Sequence, residues 1–321
     1  MLYNIAAIIV GFLLVIWSAD RFITGAAATA RNLNVSPLII GLTIVGFGTS
    51  APEMLIAVIA AADASPGLAV GNAIGSNITN ITLVLGVSAL IVPLHVHSGI
   101  LRKELPLLLA AMLLMLLVIQ DNHLGRTDGL ILWTSVLLLM WWVIRQALIN
   151  RSEDPMYAEF EQELPKPMST RLALVWLAIG LTLLIISSRI LVWGAIQIAT
   201  ELGVSDLLIG LTIIAIGTSL PELAAAIAGA LKNEHDIVIG NVVGSNMFNT
   251  LAVMGIPGLI YPSTLDAGVL QRDVPVVFIL TIALVIMAFG FKGQGRINRI
   301  EGATLFSCFV GYQVLLYFTE L

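Results

Sequence analysis

The chain has 321 residues, of which 58% are hydrophobic and only 11% are charged. A soluble domain normally carries about 25% charged residues, so this composition excludes an ordinary soluble protein and indicates a polytopic membrane protein. The net charge of −5 provides no basic surface for a nucleic acid. The single cysteine, Cys308, excludes an internal disulfide and a cluster of thiolate ligands.

Apolar segments long enough to cross a bilayer, at roughly 20 residues each, recur along the chain. They predict an all-α fold with ten transmembrane helices near 3–19, 36–62, 68–92, 105–120, 128–149, 171–190, 205–231, 236–260, 273–291 and 299–319. The polar stretch 150–170, which contains three prolines and several acids, predicts a connecting loop. It divides the chain into two five-helix halves, 1–149 and 171–321.

The two halves contain the same polar motif, at 36–80 and at 205–249. Aligned without a gap, at an offset of 169 residues, the two segments share 20 of 45 residues. Both contain GTSxPE and both end in GNxxGSNxxN, so the identical residues are mostly Gly, Ser, Thr, Asn, Pro and Glu. Polar residues and helix breakers duplicated in an apolar chain predict one composite site built from two halves.

An odd number of spans in each half requires the second half to enter the membrane from the opposite side. The repeats are therefore predicted to be inverted. The positive-inside rule gives the orientation. With both termini outside, twelve Lys and Arg residues fall in inner loops and three fall outside, namely Arg126, Arg189 and Arg272. This bias predicts external termini and a cytoplasmic 150–170 loop.

Pro52 and Pro221 lie inside otherwise helical spans. Proline has no N–H donor and clashes with the carbonyl four residues earlier, so both prolines are predicted to break their helices. The carbonyls expected to be released lie near Gly46, Phe47 and Gly48, and near Ala215, Ile216 and Gly217. Unsatisfied carbonyls are tolerated at membrane depth only where they are buried or line a wet cavity, and there they can coordinate a cation.

Glu53 and Glu222 end the two GTSxPE phrases, well inside apolar spans. A charged side chain there costs on the order of 3 kcal/mol, and two facing carboxylates also repel each other. A bound cation removes both penalties. Hydroxyl and amide oxygens are available nearby, without His or Cys, and such a set favours Ca²⁺ or Na⁺ over Zn²⁺ or copper.

The duplicated GTSxPE and GNxxGSN motifs resemble the α-repeats of the cation/Ca²⁺ exchanger superfamily, particularly its compact bacterial sodium/calcium exchangers. The resemblance spans the whole chain. It implies an antiporter in a bacterial-type inner membrane, without enzymatic activity, cofactor or protein partner, that binds Na⁺ and Ca²⁺ alternately at mid-membrane. The ligands implied are Glu53, Glu222, Thr49, Ser50, Ser76, Asn80, Thr218, Ser219, Ser245 and Asn249, with the backbone carbonyls of Gly46 and Ala215 for Na⁺.

One departure from the superfamily concerns Asn80 and Asn249, because many members carry Asp at one of these positions. The site then has two formal negative charges, which a single Ca²⁺ neutralises. The alternative counter-ion is a proton, since closely spaced carboxylates hold protons more readily when no metal is bound. Exchange of Ca²⁺, or another divalent cation, for H⁺ therefore stands beside exchange for Na⁺.

Two other classes of function are disfavoured. An intramembrane hydrolase could use Ser50 or Ser219 as its nucleophile, but neither motif contains a His or Lys that could act as the general base. A passive channel would not require two buried acids in pseudo-symmetric halves, an arrangement better suited to enclosing an ion.

Overall fold

The computed structural model describes residues 2–33, 35, 46–96, 99–149, 167–289 and 295–320. Its helices are α1 (Leu2–Asn32), α2 (Gly46–Thr49), α3 (Ala51–Ala62), α4 (Pro66–Ile91), α5 (Gly99–Ile119), α6 (Arg126–Ile149), α7 (Thr170–Leu202), α8 (206–218), α9 (Leu220–Leu231), α10 (His235–Ile260), α11 (Val269–Phe289) and α12 (Arg299–Glu320). The predominantly helical fold is confirmed.

Within the described residues, seven helical segments are long and apolar enough to cross a membrane, α8 and α9 being taken together as one. The number ten and the inverted arrangement of the repeats stay predictions. The first part of the second predicted span, 36–45, lies outside the described residues, as does the loop segment 150–166.

Helices α1 and α7 extend well beyond the predicted ends at residues 19 and 190. Charged side chains interrupt the apolar pattern there but do not end the helices, because each has a partner. The Arg21 guanidinium lies 5.7 Å from the ring centroid of Trp17 and 5.1 Å from that of Trp176. Arg189 pairs with Asp63 at 3.0 Å. For α1 and α7, hydropathy thus located the apolar stretch but misplaced the end of the helix.

Burial distinguishes a central pair of helices from a peripheral pair. In an apolar 18-residue segment of each helix, 78% of α4 and 83% of α10 is buried inside the protein, compared with 33% of α1 and 33% of α7. Helices α1 and α7 pack along each other where glycines allow backbones to approach: a Cβ at Gly25 would collide with the backbone of Leu177, and one at Gly180 with that of Phe22. The duplicated polar motifs therefore occupy the core, and α1 and α7 flank it.

Glycine also sets the crossing of α4 with α8. A Cβ at Gly71 would collide with the carbonyl of Leu207, and one at Gly75 would lie 2.7 Å from the Cβ of Ala215. Small residues spaced four apart, as in the GNxxG motif, allow two helix backbones to approach in this way. It places the helix that carries Ser76 directly against the helix that carries Thr218.

Two short antiparallel strand pairs were not predicted. Strand β1 (Leu94–His95) pairs with β4 (Arg296–Ile297), and β2 (His123–Leu124) pairs with β3 (Ser263–Thr264). Each pair ties an interhelical connection of the first half to one of the second. Two-residue strands are too short to produce a periodic sequence pattern, so the all-α prediction could not contain them.

Candidate cation-binding site

The two GTSxPE segments contain equivalent helix breaks. Ser50 has φ −87° and ψ 1°, and Ser219 has φ −84° and ψ 1°. A new helix begins at the following residue in each case, with proline in its first turn. The predicted breaks are thus present. They place Glu53 and Glu222 in the first turns of α3 and α9, where the helix dipole favours negative charge.

Of the carbonyls predicted to be released near Ala215, Ile216 and Gly217, the prediction is wrong for that of Ala215. This carbonyl accepts the backbone N–H of Ser219 at 3.2 Å and the Thr218 hydroxyl at 3.4 Å. The carbonyl that loses its helical donor is that of Gly217, because the residue four positions later is Pro221, which has no N–H. Gly46 is the first residue of α2, at the edge of a described range.

Hydroxyl groups from the two halves meet in two equivalent contacts. The Oγ1 of Thr49 lies 3.3 Å from the Oγ of Ser245, and the Oγ of Ser76 lies 3.4 Å from the Oγ1 of Thr218. The offset of 169 converts Thr49 into Thr218 and Ser76 into Ser245, so each contact is the counterpart of the other. The structure thus brings the polar residues of both motifs into one cluster.

The carboxyl groups of Glu53 and Glu222 are buried in this cluster. Ser245 donates its hydroxyl to Oε1 of Glu222 at 3.5 Å. The Thr218 hydroxyl lies beside the Glu53 carboxyl, yet neither Glu53 oxygen has a well-formed hydrogen bond within the described part of the chain. Buried carboxylates without partners are costly, so the pair requires a cation or a proton.

Oxygens without hydrogen-bond partners recur in equivalent pairs. Among the described residues, at least one buried side-chain oxygen lacks a partner in each of the pairs Ser50 and Ser219, Glu53 and Glu222, and Asn80 and Asn249. All of the predicted ligands whose surroundings are described are buried. A protein interior normally satisfies such groups, and oxygen ligands without thiolate or imidazole suit a hard cation.

Acidic ligands alone would not form this site. In the described ranges, no group of three or more His, Cys, Asp or Glu residues could hold a metal ion. A cation would therefore depend on the hydroxyl and amide oxygens that surround the two glutamates. Such a mixed set also suits an ion that must be released, since fewer charges hold it.

A π-helix begins at each of the two predicted amide ligands. The segments are Asn80–Val84 in α4 and Asn249–Val253 in α10. Helical segments of this kind are rare and occur frequently at functional sites. They were not predicted, because no sequence pattern distinguishes a single π-turn inside an apolar helix. Their equivalent positions give both amides the same local backbone.

Sequence reasoning also missed Asn77 and Asn246, which follow the serine in each GSN triplet. Asn80 donates its amide to Oδ1 of Asn246 at 3.1 Å, and Asn246 donates its own amide to the backbone carbonyl of Asn77 at 3.4 Å. Asn77 in turn donates to the Thr250 hydroxyl at 2.9 Å. Their identity in both repeats was the available signal. These bonds join α4 directly to α10.

The family model for the sodium/calcium exchanger protein matches residues 3–145 and 172–318. The chain belongs to this family. The protein CaxA of Alkalimonas amylolytica is 48% identical over 317 residues, which cover 99% of each chain. Inner membrane protein YrbG of Escherichia coli (strain K12) is 40% identical over 319 residues, covering 99% of this chain and 98% of YrbG.

The fold has a solved counterpart in the same family. A structure of the sodium-calcium exchanger NCX_Mj soaked with 2.5 mM Na⁺ and 0.1 mM Ca²⁺ matches with a TM-score of 0.68 and 29% identity, covering 99% of both chains. Family membership makes the chain a multi-pass integral membrane protein of the inner-membrane type and an exchanger of the antiporter class. The predicted superfamily is confirmed.

The paired carboxyl groups generate a binding prediction. We expect Ca²⁺ to raise the melting temperature of the purified protein, since a ligand of the folded state stabilises it. Glu53→Gln or Glu222→Gln should each abolish this rise, because either change removes half of the negative charge at the site. Glu104→Gln, which alters a buried carboxyl outside both motifs, should preserve it. A normal Ca²⁺ response in both glutamine variants at the site would contradict the composite site.

Proposed function

We propose that this protein is a secondary active antiporter that exchanges Na⁺ for Ca²⁺ across the inner membrane. A single site, alternately open to each side, binds both ions. The observation that carries the proposal is the set of buried oxygens without partners, which occur in equivalent pairs from the two motifs. A binding site for a hard cation accounts for all three pairs at once.

The proposed coupling follows from charge balance. Glu53 and Glu222 contribute two negative charges in a buried environment, where uncompensated charge is strongly unfavourable. One Ca²⁺ neutralises them, and so do two Na⁺. Departure of one cation without replacement would leave two carboxylates facing each other, so release on one side is coupled to binding of the counter-ion.

The hydroxyl and amide oxygens have a second role in this proposal. Two contacts between the motifs join Thr49 to Ser245 at 3.3 Å and Ser76 to Thr218 at 3.4 Å, and Ser245 also contacts Glu222 of its own motif at 3.5 Å. These hydroxyl groups supply neutral oxygens whose spacing adjusts between one divalent ion and several monovalent ions. Ser50, Ser219, Asn80 and Asn249 provide the oxygens that lack partners.

In the proposed topology, ten spans form two inverted repeats, 1–149 and 171–321, connected by the cytoplasmic loop 150–170, with both termini outside. Helices α1 and α7 contain none of the proposed ligands and lie at the periphery. The Phe12 ring on α1 lies against Gly217, and the Ile23 side chain lies against Gly48. Sliding of α1 with α7 along the core would therefore expose the GTS segments to one side or the other.

The orientation can be tested by cysteine labelling. We expect a cysteine introduced at Ser152, in a Cys308→Ser background, to react with a membrane-impermeant thiol reagent only after the inner face is exposed. A cysteine at the exposed Asp266, in the α10–α11 connection, is the matched external position and should react in intact cells. The opposite pattern would reverse the proposed orientation.

The coupling ion is tested by flux. We expect proteoliposomes loaded with Na⁺ to accumulate ⁴⁵Ca²⁺ when diluted into Na⁺-free buffer at constant pH, because the outward Na⁺ gradient drives exchange. Liposomes containing Glu53→Gln protein serve as the control. Uptake that follows an imposed pH gradient but not the Na⁺ gradient would contradict Na⁺ coupling and favour H⁺ as the counter-ion, since protons could neutralise the same two carboxyl groups.

The neutral amide of Asn249 generates a further prediction. Asn249→Asp adds a carboxyl group that cations and protons compete for. A proton bound there lowers the apparent affinity for Ca²⁺, so inhibition should deepen as pH falls. We expect the variant's Ca²⁺ uptake to decline at a higher pH than that of the unmodified protein when uptake is measured against pH. Identical profiles in an active variant would place residue 249 away from the ion.

A further inference from the structure

The amides of Asn80 and Asn249 occupy equivalent positions but have different surroundings. Both side chains are fully buried and each begins a π-helix. Asn80 donates its amide N–H to Oδ1 of Asn246 at 3.1 Å. Neither Nδ2 nor Oδ1 of Asn249 has a hydrogen-bond partner among the described residues. Two residues that the repeat makes equivalent are therefore held differently.

The backbone carbonyl of Asn77 determines the orientation of the Asn80 side-chain amide, through Asn246. The carbonyl of Asn77 can only accept, so the Asn246 side chain must present its NH₂ group to it, at 3.4 Å. The Oδ1 of Asn246 then faces Asn80, which must present its own NH₂ group in turn. The Oδ1 of Asn80 is consequently directed away from Asn246, and it is buried without a partner.

The difference between the halves originates at one position. By the 169-residue offset, Asn77 is the counterpart of Asn246 and would be expected to hold Asn249. Its NH₂ group instead donates to the hydroxyl of Thr250 at 2.9 Å. The counterpart of Thr250 in the first half is Ile81, which has no acceptor. The Thr250 hydroxyl thus accepts the NH₂ group of Asn77, and the Asn249 side chain has no hydrogen-bond partner among the described residues.

We infer that Asn246 is a positioning residue that holds the amide of Asn80 with its oxygen directed to the cation. This inference rests on the proposed function and deepens it, because it assigns different roles to two equivalent ligands. Asn80 supplies an oxygen in a fixed place, and Asn249 supplies one that turns as the ion changes. Asn246 acts through Asn80 and does not itself touch the ion.

A double-mutant cycle tests the inference, with the Ca²⁺-dependent rise in melting temperature as the readout. Asn246→Ala should weaken apparent Ca²⁺ affinity about tenfold, because an unheld Asn80 amide loses its directed oxygen. In an Asn80→Asp background, the same change should weaken affinity less than about twofold. A carboxylate has two equivalent oxygens and no N–H to donate to the Oδ1 of Asn246, so Asn246 cannot orient it. The cycle thereby measures the coupling between residues 246 and 80 directly.

The matched control is Asn77→Ala. It removes the counterpart side chain but preserves the backbone carbonyl that orients Asn246, so Ca²⁺ affinity should be unchanged. Equal losses of affinity from Asn246→Ala in both backgrounds would indicate a structural role and overturn the inference. Unchanged affinity in Asn246→Ala would also overturn it. Should Asn246→Ala not fold, Asn246→Leu, which has the same branched shape without a hydrogen-bonding group, replaces it in the cycle.

The assay separates this inference from the proposed function. It contains Ca²⁺ as the single varied ion and no Na⁺ gradient, so a Ca²⁺/H⁺ exchanger would give the same expected result. Absence of any Ca²⁺-dependent stabilisation in the unmodified protein would overturn the Ca²⁺ site and the role of Asn246 together. A normal response in the unmodified protein, with no coupling between residues 246 and 80, would overturn only the role of Asn246.

Discussion

The structure depends on one unfavourable arrangement: two carboxyl groups buried in an apolar interior without sufficient hydrogen-bond donors. An isolated buried charge costs several kcal/mol even after relaxation, and Glu53 and Glu222 also repel each other. The surrounding features reduce this cost in part. Each carboxyl group lies in the first turn of a helix, where backbone dipoles favour anions, and neutral hydroxyls lie nearby. A bound cation would neutralise the negative charge that these features leave uncompensated.

Duplication explains how a chain of this size can build such a site. One GTSxPE phrase provides a single glutamate and a helix break, which leave one carboxylate and a few oxygens exposed to a hydrocarbon interior. Two copies placed face to face bury each other's polar groups, as the Thr49–Ser245 and Ser76–Thr218 contacts show. Glycines at 71 and 75 allow α4 and α8 to approach closely enough for the contact between Ser76 and Thr218.

The sequence was sufficient to predict the helical class, the helix breaks and most of the cluster, because identical polar residues at a constant offset are hard to explain by packing alone. It misplaced the ends of α1 and α7, since the partners of Arg21 and Arg189 come from elsewhere in the fold. It also predicted released carbonyls near Ala215, Ile216 and Gly217, whereas the Ala215 carbonyl keeps its helical donor. Proline removes the donor of only one carbonyl, that of the residue four positions earlier, which here is Gly217.

The Asn246 contact could not be predicted because it depends on how α4 crosses α10 and on a single difference between the repeats. Thr250 and Ile81 are both compatible with a buried helix, so the sequence gives no sign that this difference between the repeats affects a hydrogen bond. In the structure, the hydroxyl at 250 takes the amide of Asn77 and breaks the symmetry of the ligand pair. In the proposed exchange, a site that binds ions of different charge would gain from this asymmetry. One fixed oxygen would preserve the geometry while the other adapted, whereas two fixed oxygens would favour one ion and two mobile ones would select neither.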